Sequence, residues 1–517
     1  MIHVPRVTHL WVLIVAVGSG ALAGQDGPRD NRPRSRDDLD RMNRDDAEHS
    51  VRKFLAVVNT VLEHDVDPPA RQQLVLQGVK AVFTKAGRPV PARLSQRISD
   101  LATDEQITHF LRQTLAELIG ETDEDVRELE VAMMGGALSA VPGKPELIAT
   151  KDFTFQEQVR TTGYVGVGIS IALDEETRSP LIIDVRPGPA LRAGAKAGDL
   201  ILEIDGRNTE KAGLSQVIPL LRGEEGSVIA LVVRHKGASE KRALTITRGL
   251  APVSSVVGFQ RASEATWDYH AAGDAKIAYL RLTGILTKTV HELREAARLL
   301  EDQGFRALVL DLRFTLGGAG AHPALLVADA LLDGGGIGRL QGPDGRTRTY
   351  EASETSLFRG WPIVVLVNRY TRSEAELLAA ALQDNRGTIL VGEPTAGDGF
   401  EYTEVSSGED IGAVRLRTAL LYRADGRPLL RPAADAISVR GSSVPPPVSE
   451  REPNHAESGV AGVVPDHRVP ADINQLREIS KAMRERHLFN PSAAEPADSV
   501  VDPQFEKAIE LLQAALE

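Results

Sequence analysis

Residues 361–385 read WPIVVLVNRYTRSEAELLAAALQDN, and their hydrophobic period changes once within that stretch. The change restricts the fold more than any other feature of the chain. Ile363 to Val367 is a continuous apolar, largely β-branched run, the signature of a strand covered on both faces. Asn368, Arg369, Tyr370 and Thr371 end it. From Glu374 the period is helical, with Leu377, Leu378, Ala381 and Leu382 on one face. Ser373 therefore falls where a buried strand gives way to a helix. A hydroxyl there points out of the sheet beside a helix N-terminus, whose free N–H groups suit a developing anion. A nucleophilic serine needs that geometry. Ser373 with Glu376 is equally a capping box, which satisfies the first N–H groups of a helix and does no chemistry.

The surrounding segments supply a sheet for this strand. Lys276 to Leu282 reads as an edge-like strand, Val290 to Gln303 as a helix, and Ala307 to Leu312 (ALVLDL) as a buried strand. Gly317 and Gly318 follow, then a helix from Pro323 to Leu332 and a strand from Thr388 to Val391. Strands alternating with helices predict a largely parallel sheet with covered faces. In such a sheet a site forms at the carboxyl ends of the strands. The Gly317-Gly318 loop and Ser373 both follow strand ends, so the two converge.

The first half of the chain has other patterns. The apolar run LWVLIVAV, preceded by Arg6 and followed by Ala21-Leu22-Ala23, reads as a signal peptide over residues 1–23. Leu10 to Ala23 is short for a membrane span, so the mature chain is expected to carry none. An uncleaved anchor is the alternative, and either way the body is exported, to periplasm or outside the cell. Residues 24–47 are dense in Arg and Asp and read as a disordered leader. Residues 48–160 read as a helical domain. Its helices are Glu48 to Asp65, Arg71 to Phe83, one opened by a Thr103–Gln106 capping box and stopped at Gly120, and Asp123 to Leu138. After Lys151 the period switches to two, with short strands up to about Thr247.

Composition removes several function classes. The 517 residues carry a formal net charge of −12, and loss of the first 23, with one arginine and no acid, makes it −13. That balance argues against nucleic acid as a partner. Without cysteine there is no disulfide, thiolate metal site or cysteine nucleophile. The twelve histidines show no metal-ligand spacing, so neither metal nor cofactor is expected.

Residues 162–248 resemble a PDZ domain of the kind found in exported bacterial proteases, most specifically in the run Gly198-Asp199-Leu200-Ile201 to Ile204-Asp205-Gly206. The resemblance implies that protein or peptide C-termini are the partners. A chain terminus adds to a sheet edge, its carboxylate held by the turn Gly166, Val167, Gly168 and Ile169. The same glycines are compatible with a tight turn alone.

The whole chain from about residue 48 to Leu512 is similar to the carboxyl-terminal processing peptidases, exported serine peptidases with an embedded PDZ domain. The matching motifs are Asp311-Leu312-Arg313 with Gly317-Gly318, Val367-Asn368 through Gln383-Asp384, and Gly392-Glu393-Pro394-Thr395. Tyr422 with Gly426, Val464-Pro465-Asp466 and Asp502-Pro503-Gln504 follow in order. The resemblance implies a multidomain α+β fold: the helical domain, a PDZ domain over 161–250, an α/β peptidase core of the ClpP/crotonase-like type over 262–470, and a helical tail over 471–517. It puts Ser373 at the nucleophile and the backbone N–H groups of Gly318 and Glu374 at the oxyanion hole.

The family's general base is a lysine, and here its position holds Asp398. The glutamine four residues on is Tyr402, and the small residues beside the serine are Arg372 and Glu374. No lysine lies between Lys288 and Lys481, and His322 is the histidine nearest a site element. Two readings stand: a serine endopeptidase with impaired catalysis, and a catalytically silent exported adaptor or scaffold that binds chain termini. Residues 441–458, with Pro445-Pro446-Pro447, read as a proline-rich insertion.

Overall fold

A computed structural model describes residues 36–487 and 500–517, except 123, 144, 151, 154–156, 158–163, 175, 252, 264–265, 272–275, 316, 318, 354–355, 409 and 432–461. The signal segment, Gly318 and the proline-rich segment 441–458 lie outside the described residues.

Five helices come first: α1 (Arg36–His64), α2 (Arg71–Lys85), α3 (Leu94–Ser99), α4 (Asp104–Glu121) and α5 (Val126–Leu138). The α1 helix begins at Arg36 rather than Glu48, so residues 36–47, expected in the leader, are helical. Ala47 already lies in the core, so the buried stripe starts one residue ahead of the expected helix. Thr103 caps α4 as its sequence predicts: its hydroxyl takes the Gln106 N–H at 3.2 Å, and the Gln106 side chain takes the Thr103 N–H at 3.2 Å. The helix runs one residue past Gly120, and the six-residue α3 was not anticipated. The stripe Val51, Phe54, Val58 and Val61 is buried against α2, α4 and α5. That core is completed by Val414 and Leu416 from much later in the chain.

A strand β1 (Glu146–Ile148) leads to β2 (Tyr164–Gly166), β3 (Ile169–Leu173), β4 (Pro180–Val185), the one-turn helix α6 (Pro189–Arg192), β5 (Asp199–Ile204) and β6 (Arg207–Asn208). Helix α7 (Leu214–Leu221), β7 (Val228–His235), β8 (Lys241–Thr247) and β9 (Gly249–Ala251) complete this unit. Its sheet has the order β3-β4-β5-β7-β8, antiparallel throughout, while β2 pairs with β9. Ile229, Leu231 and Val233 alternate inward along β7, and they meet Ile182, Ile201 and Val217 in a core of their own.

The last unit contains β10 (Val256–Val257), β11 (Gln260–Arg261), β12 (Trp267–Asp268), β13 (Ile277–Leu282), α8 (Thr289–Asp302), β14 (Ala307–Asp311) and α9 (Ala321–Leu331). The hairpin β15 (Gly335–Gln341) and β16 (Thr347–Ala352) precedes β17 (Ile363–Val367), α10 (Glu374–Arg386) and β18 (Ile389–Gly392). Then come β19 (Phe400–Gly408), β20 (Gly412–Tyr422), β21 (His467–Arg468), α11 (Ile473–His487) and α12 (Pro503–Leu516).

The central sheet runs β10-β13-β14-β17-β18-β21, parallel from β13 onward. The β13 strand is not at the edge: the short β10 pairs antiparallel along its outer side, and five of its six residues are buried. Along β14, Leu308 and Leu310 face the core formed with α8, α9 and α10. Ala307 and Val309 face the other side, where Phe505, Ala508 and Leu512 of α12 cover them. Coverage on both faces is why these strands read as unbroken apolar runs. A second sheet, β1-β20-β15-β16 with β19 also on β20, stands beside α10 and α1. Asp311 pairs with Leu366, so β14 and β17 end side by side, which positions the two loops that follow them together.

Candidate active site

The turn after β17 is fastened to the loop after β14. Asn368, fully buried, accepts the Phe314 N–H at 3.2 Å and the Tyr370 N–H at 3.0 Å on its Oδ1. The Thr371 hydroxyl donates to the Leu312 carbonyl at 2.9 Å, and the Arg372 N–H donates to the Thr315 carbonyl at 3.2 Å. Ser373 follows with φ 56° and ψ −123°, a left-handed conformation that is rare for a residue with a Cβ. It is 4% exposed and opens α10.

The Ser373 side chain does not cap that helix. Its Oγ donates to the Phe400 carbonyl at 2.6 Å. The other half of the capping box is made, since the Glu376 carboxylate accepts the Ser373 N–H at 3.0 Å. Glu376 does far more than the box requires. It also accepts the Thr395 hydroxyl at 2.5 Å, the Gly397 N–H at 2.6 Å and the Asp398 N–H at 3.0 Å, so one buried carboxylate holds both the serine and the loop 395–398. Burial pushes its pKa up to about 7, with Asp398 adding to the rise and the hydrogen bonds opposing it. The Ser-x-x-Glu spacing was the one sequence signal for Glu376, and it could not show the second half of the clamp.

Asp398, at the expected base position, has side-chain partners other than the serine. Arg372 Nη2 reaches it at 3.1 Å and the Tyr402 hydroxyl donates to it at 3.1 Å. Burial and the neighbouring Asp398 raise the pKa of Tyr402, keeping it a neutral donor. His322 is exposed on the first turn of α9, where Glu401 accepts the Ala321 N–H at 2.7 Å. The side chain that reaches the serine is one the sequence suggested only for its backbone. Glu374 is 1% exposed, and a Cβ built on Gly317 would lie 1.3 Å from its Oε2 and 3.1 Å from Ser373 Oγ. The carboxyl therefore lies against the bare Cα of Gly317 and beside the hydroxyl. Among the described residues neither oxygen has a well-aligned hydrogen-bond partner. Burial pushes this carboxyl up to about 7. Weaker contacts with its own N–H, the Ser373 hydroxyl and the Tyr402 N–H act the other way, while Glu401 adds to the rise.

Behind the site, Arg313 is 1% exposed and pairs with Asp311 at 2.7 Å and Asp502 at 2.8 Å, with Gln504 at 3.2 Å. Two motifs 189 residues apart thus meet on one guanidinium. In the antiparallel unit, the turn Gly166–Ile169 joins β2 to β3, with Gly168 at φ 84°. Its Val167 and Gly168 carbonyls accept N–H bonds from Ala190 at 2.8 Å and Arg186 at 2.9 Å. Among the described residues no group of three or more His, Asp or Glu side chains is arranged to hold a metal, and no helix is long and apolar enough to cross a membrane.

Residues 276–433 match peptidase family S41, and residues 181–235 match the PDZ domain. A carboxy-terminal-processing protease of Bartonella bacilliformis is 27% identical over 450 residues, 85% of this chain and 95% of that protein. The chloroplastic C-terminal processing peptidase of Tetradesmus obliquus is 35% identical over 259 residues, 49% of this chain and 55% of its own length. A carboxyl-terminal-processing protease of Synechocystis is 33% identical over 281 residues, 52% of this chain and 63% of its own length. With an S41 match over the parallel-sheet core, a PDZ match ahead of it, and a relative that aligns over 85% of its length, this chain is similar to the carboxyl-terminal processing peptidases.

Proposed function

We propose that this protein is an exported serine-type endopeptidase that recognises protein C-termini through its PDZ domain and hydrolyses peptide bonds slowly, with Ser373 as nucleophile. The observation that carries the reading is the conformation of Ser373. A residue with a Cβ held at φ 56° on a strand-to-helix turn is under strain that the neighbouring hydrogen bonds maintain. Such a turn presents the hydroxyl beside the helix N-terminus, where the Glu374 N–H is available to an oxyanion. Slowness follows from the base position. Asp398 is engaged by Arg372 and Tyr402, and no lysine lies between residues 288 and 481. Loss of a catalytic base typically lowers turnover by several powers of ten.

The second reading, a silent adaptor that only holds chain termini, is favoured by the resting Ser373 hydroxyl, which donates to the Phe400 carbonyl. Cleavage of an unfolded substrate with a free apolar C-terminus, by the wild-type protein and by Ser373→Ala, separates the two. The peptidase reading expects slow cleavage that Ser373→Ala abolishes. Equal rates for the two proteins would leave the adaptor.

A further inference from the structure

This inference rests on the peptidase reading and names the group that serves it. We propose that the Glu374 side chain is the proton acceptor for Ser373, so that two adjacent residues form the acid–base pair. Reach is the first requirement of a base. Glu374 Oε2 and Ser373 Oγ lie 1.3 Å and 3.1 Å from one point above Gly317, within direct or one-water distance of each other. Availability is the second. Both Glu374 oxygens are buried with no well-aligned partner among the described residues, whereas Asp398 is held by Arg372 and Tyr402 and His322 faces solvent. A buried carboxyl left unsatisfied is costly, and it persists where function retains it. Basicity is the third. The shift of this carboxyl to about 7 brings it into the range that general bases need near neutrality.

The charged groups around it bear on that titration. Glu401 on β19 pushes it upward, as does burial. Glu376 on the same helix is occupied by the Ser373 N–H and the loop 395–398, and the Arg372–Asp398 pair lies on the turn and loop to one side. Tyr402 contributes its N–H and is otherwise neutral.

The step balances without a co-reactant. As Ser373 Oγ bonds to the substrate carbonyl carbon, its O–H bond breaks and the proton passes to Glu374. The carbonyl π pair moves onto the oxygen, facing the Glu374 N–H. On collapse the C–N bond breaks and the leaving amine takes the proton from Glu374. Water then releases the acyl group by the same transfer in reverse. One negative charge moves from carboxylate to oxyanion and back, so the Glu374 carboxylate and the oxyanion are never charged together.

The test is acylation of Ser373 by a p-nitrophenyl ester, read as nitrophenol release from the full-length protein between pH 5 and 9, in wild type, Ser373→Ala, Glu374→Gln and Glu374→Asp. Release by wild type should depend on Ser373 and rise through about pH 7 to a plateau. Glu374→Gln should lower that plateau by roughly 10²- to 10⁴-fold and remove the inflection. If Glu374→Gln does not fold, Glu374→Asp carries the test, with an inflection retained on a lower plateau. Ser373-dependent release that neither variant reduces would overturn the proposal and leave the peptidase reading standing. A wild type with no Ser373-dependent release would overturn both.

Discussion

Strain at Ser373 and burial at Glu374 and Glu376 put three unfavourable residues within four positions. A left-handed residue with a Cβ is destabilising by about 1–3 kcal/mol, so its surroundings must enforce it. Here the Glu376 carboxylate on its N–H and the Arg372–Thr315 backbone bond do so. The two buried carboxyls add a pH dependence whose sign is opposite to that of a paired surface acid. Both have folded pKa values of about 7, above the usual 4.5. Below pH 4.5 the folded and unfolded chains hold these protons alike. Between 4.5 and 7 the unfolded chain has released them and the folded chain has not, so stability falls as pH rises, and above 7 the loss is complete. The loss is on the order of 3 kcal/mol for each carboxyl. Glu374→Gln removes one of the two, so its stability relative to wild type should grow from pH 5 to pH 8 in urea unfolding. A difference independent of pH would show that Glu374 is ionised in the folded state across that range. Ser373 was legible because a strand-to-helix switch is a local pattern. The position of the Glu374 side chain was not, because it depends on a missing Cβ at Gly317, more than fifty residues away in sequence.

Among the elements, α12 is attached by chemistry that its own sequence does not reveal. Asp502 caps it by accepting the Phe505 N–H at 3.1 Å, and the same carboxylate receives Arg313. Phe505 then stacks on Phe259 and meets Tyr279 edge-on, covering the sheet face opposite α10. Removing Arg313 would leave Asp311 buried beside the Tyr279 hydroxyl without its cation. Breaking a buried pair this way typically destabilises by 3–5 kcal/mol. Arg313→Met should therefore lower the unfolding midpoint sharply and release α12 to protease, and an unchanged melting temperature would refute the tether. The PDZ turn makes a second prediction at this scale. If N–H groups of this turn hold a carboxylate, a peptide with a free apolar C-terminus should bind more tightly than its amide by about 1–3 kcal/mol. Equal affinities by calorimetry would show that the turn between β2 and β3 does not read a terminus. The turn residues and most strand positions could be read from sequence, since Gly and the apolar period mark them. The place of β13 could not, because the two-residue β10 that covers it is too short to carry a pattern.

At the scale of the molecule, the chain order and the units that share a core differ. Residues 36–138 look self-contained in sequence, with stripes at helical spacing and a clean cap. Their core nevertheless includes Val414 and Leu416, both buried, and the junction is sealed by the Arg417–Asp65 ion pair at 2.7 Å and the Val66–Arg417 backbone bond at 2.8 Å. The helices and the β19–β20 hairpin therefore cover apolar surface for each other, across the whole intervening PDZ domain. The PDZ domain itself buries Ile182, Ile201, Leu231 and Ile246 in a core to which, among the described residues, no other part of the chain contributes a buried residue. Cooperativity follows shared cores rather than sequence order. Residues 161–251 expressed alone should fold, giving dispersed amide NMR signals and a single thermal transition. Residues 36–148 alone should not reach the native state, because the surface that meets Val414 and Leu416 and the buried Asp65 would face water. In the intact protein those helices and the peptidase core should melt together, with the PDZ domain free to melt apart from them. A soluble, cooperatively folding 36–148 fragment would show that the hairpin contributes little, and that the helical layer is an independent domain after all.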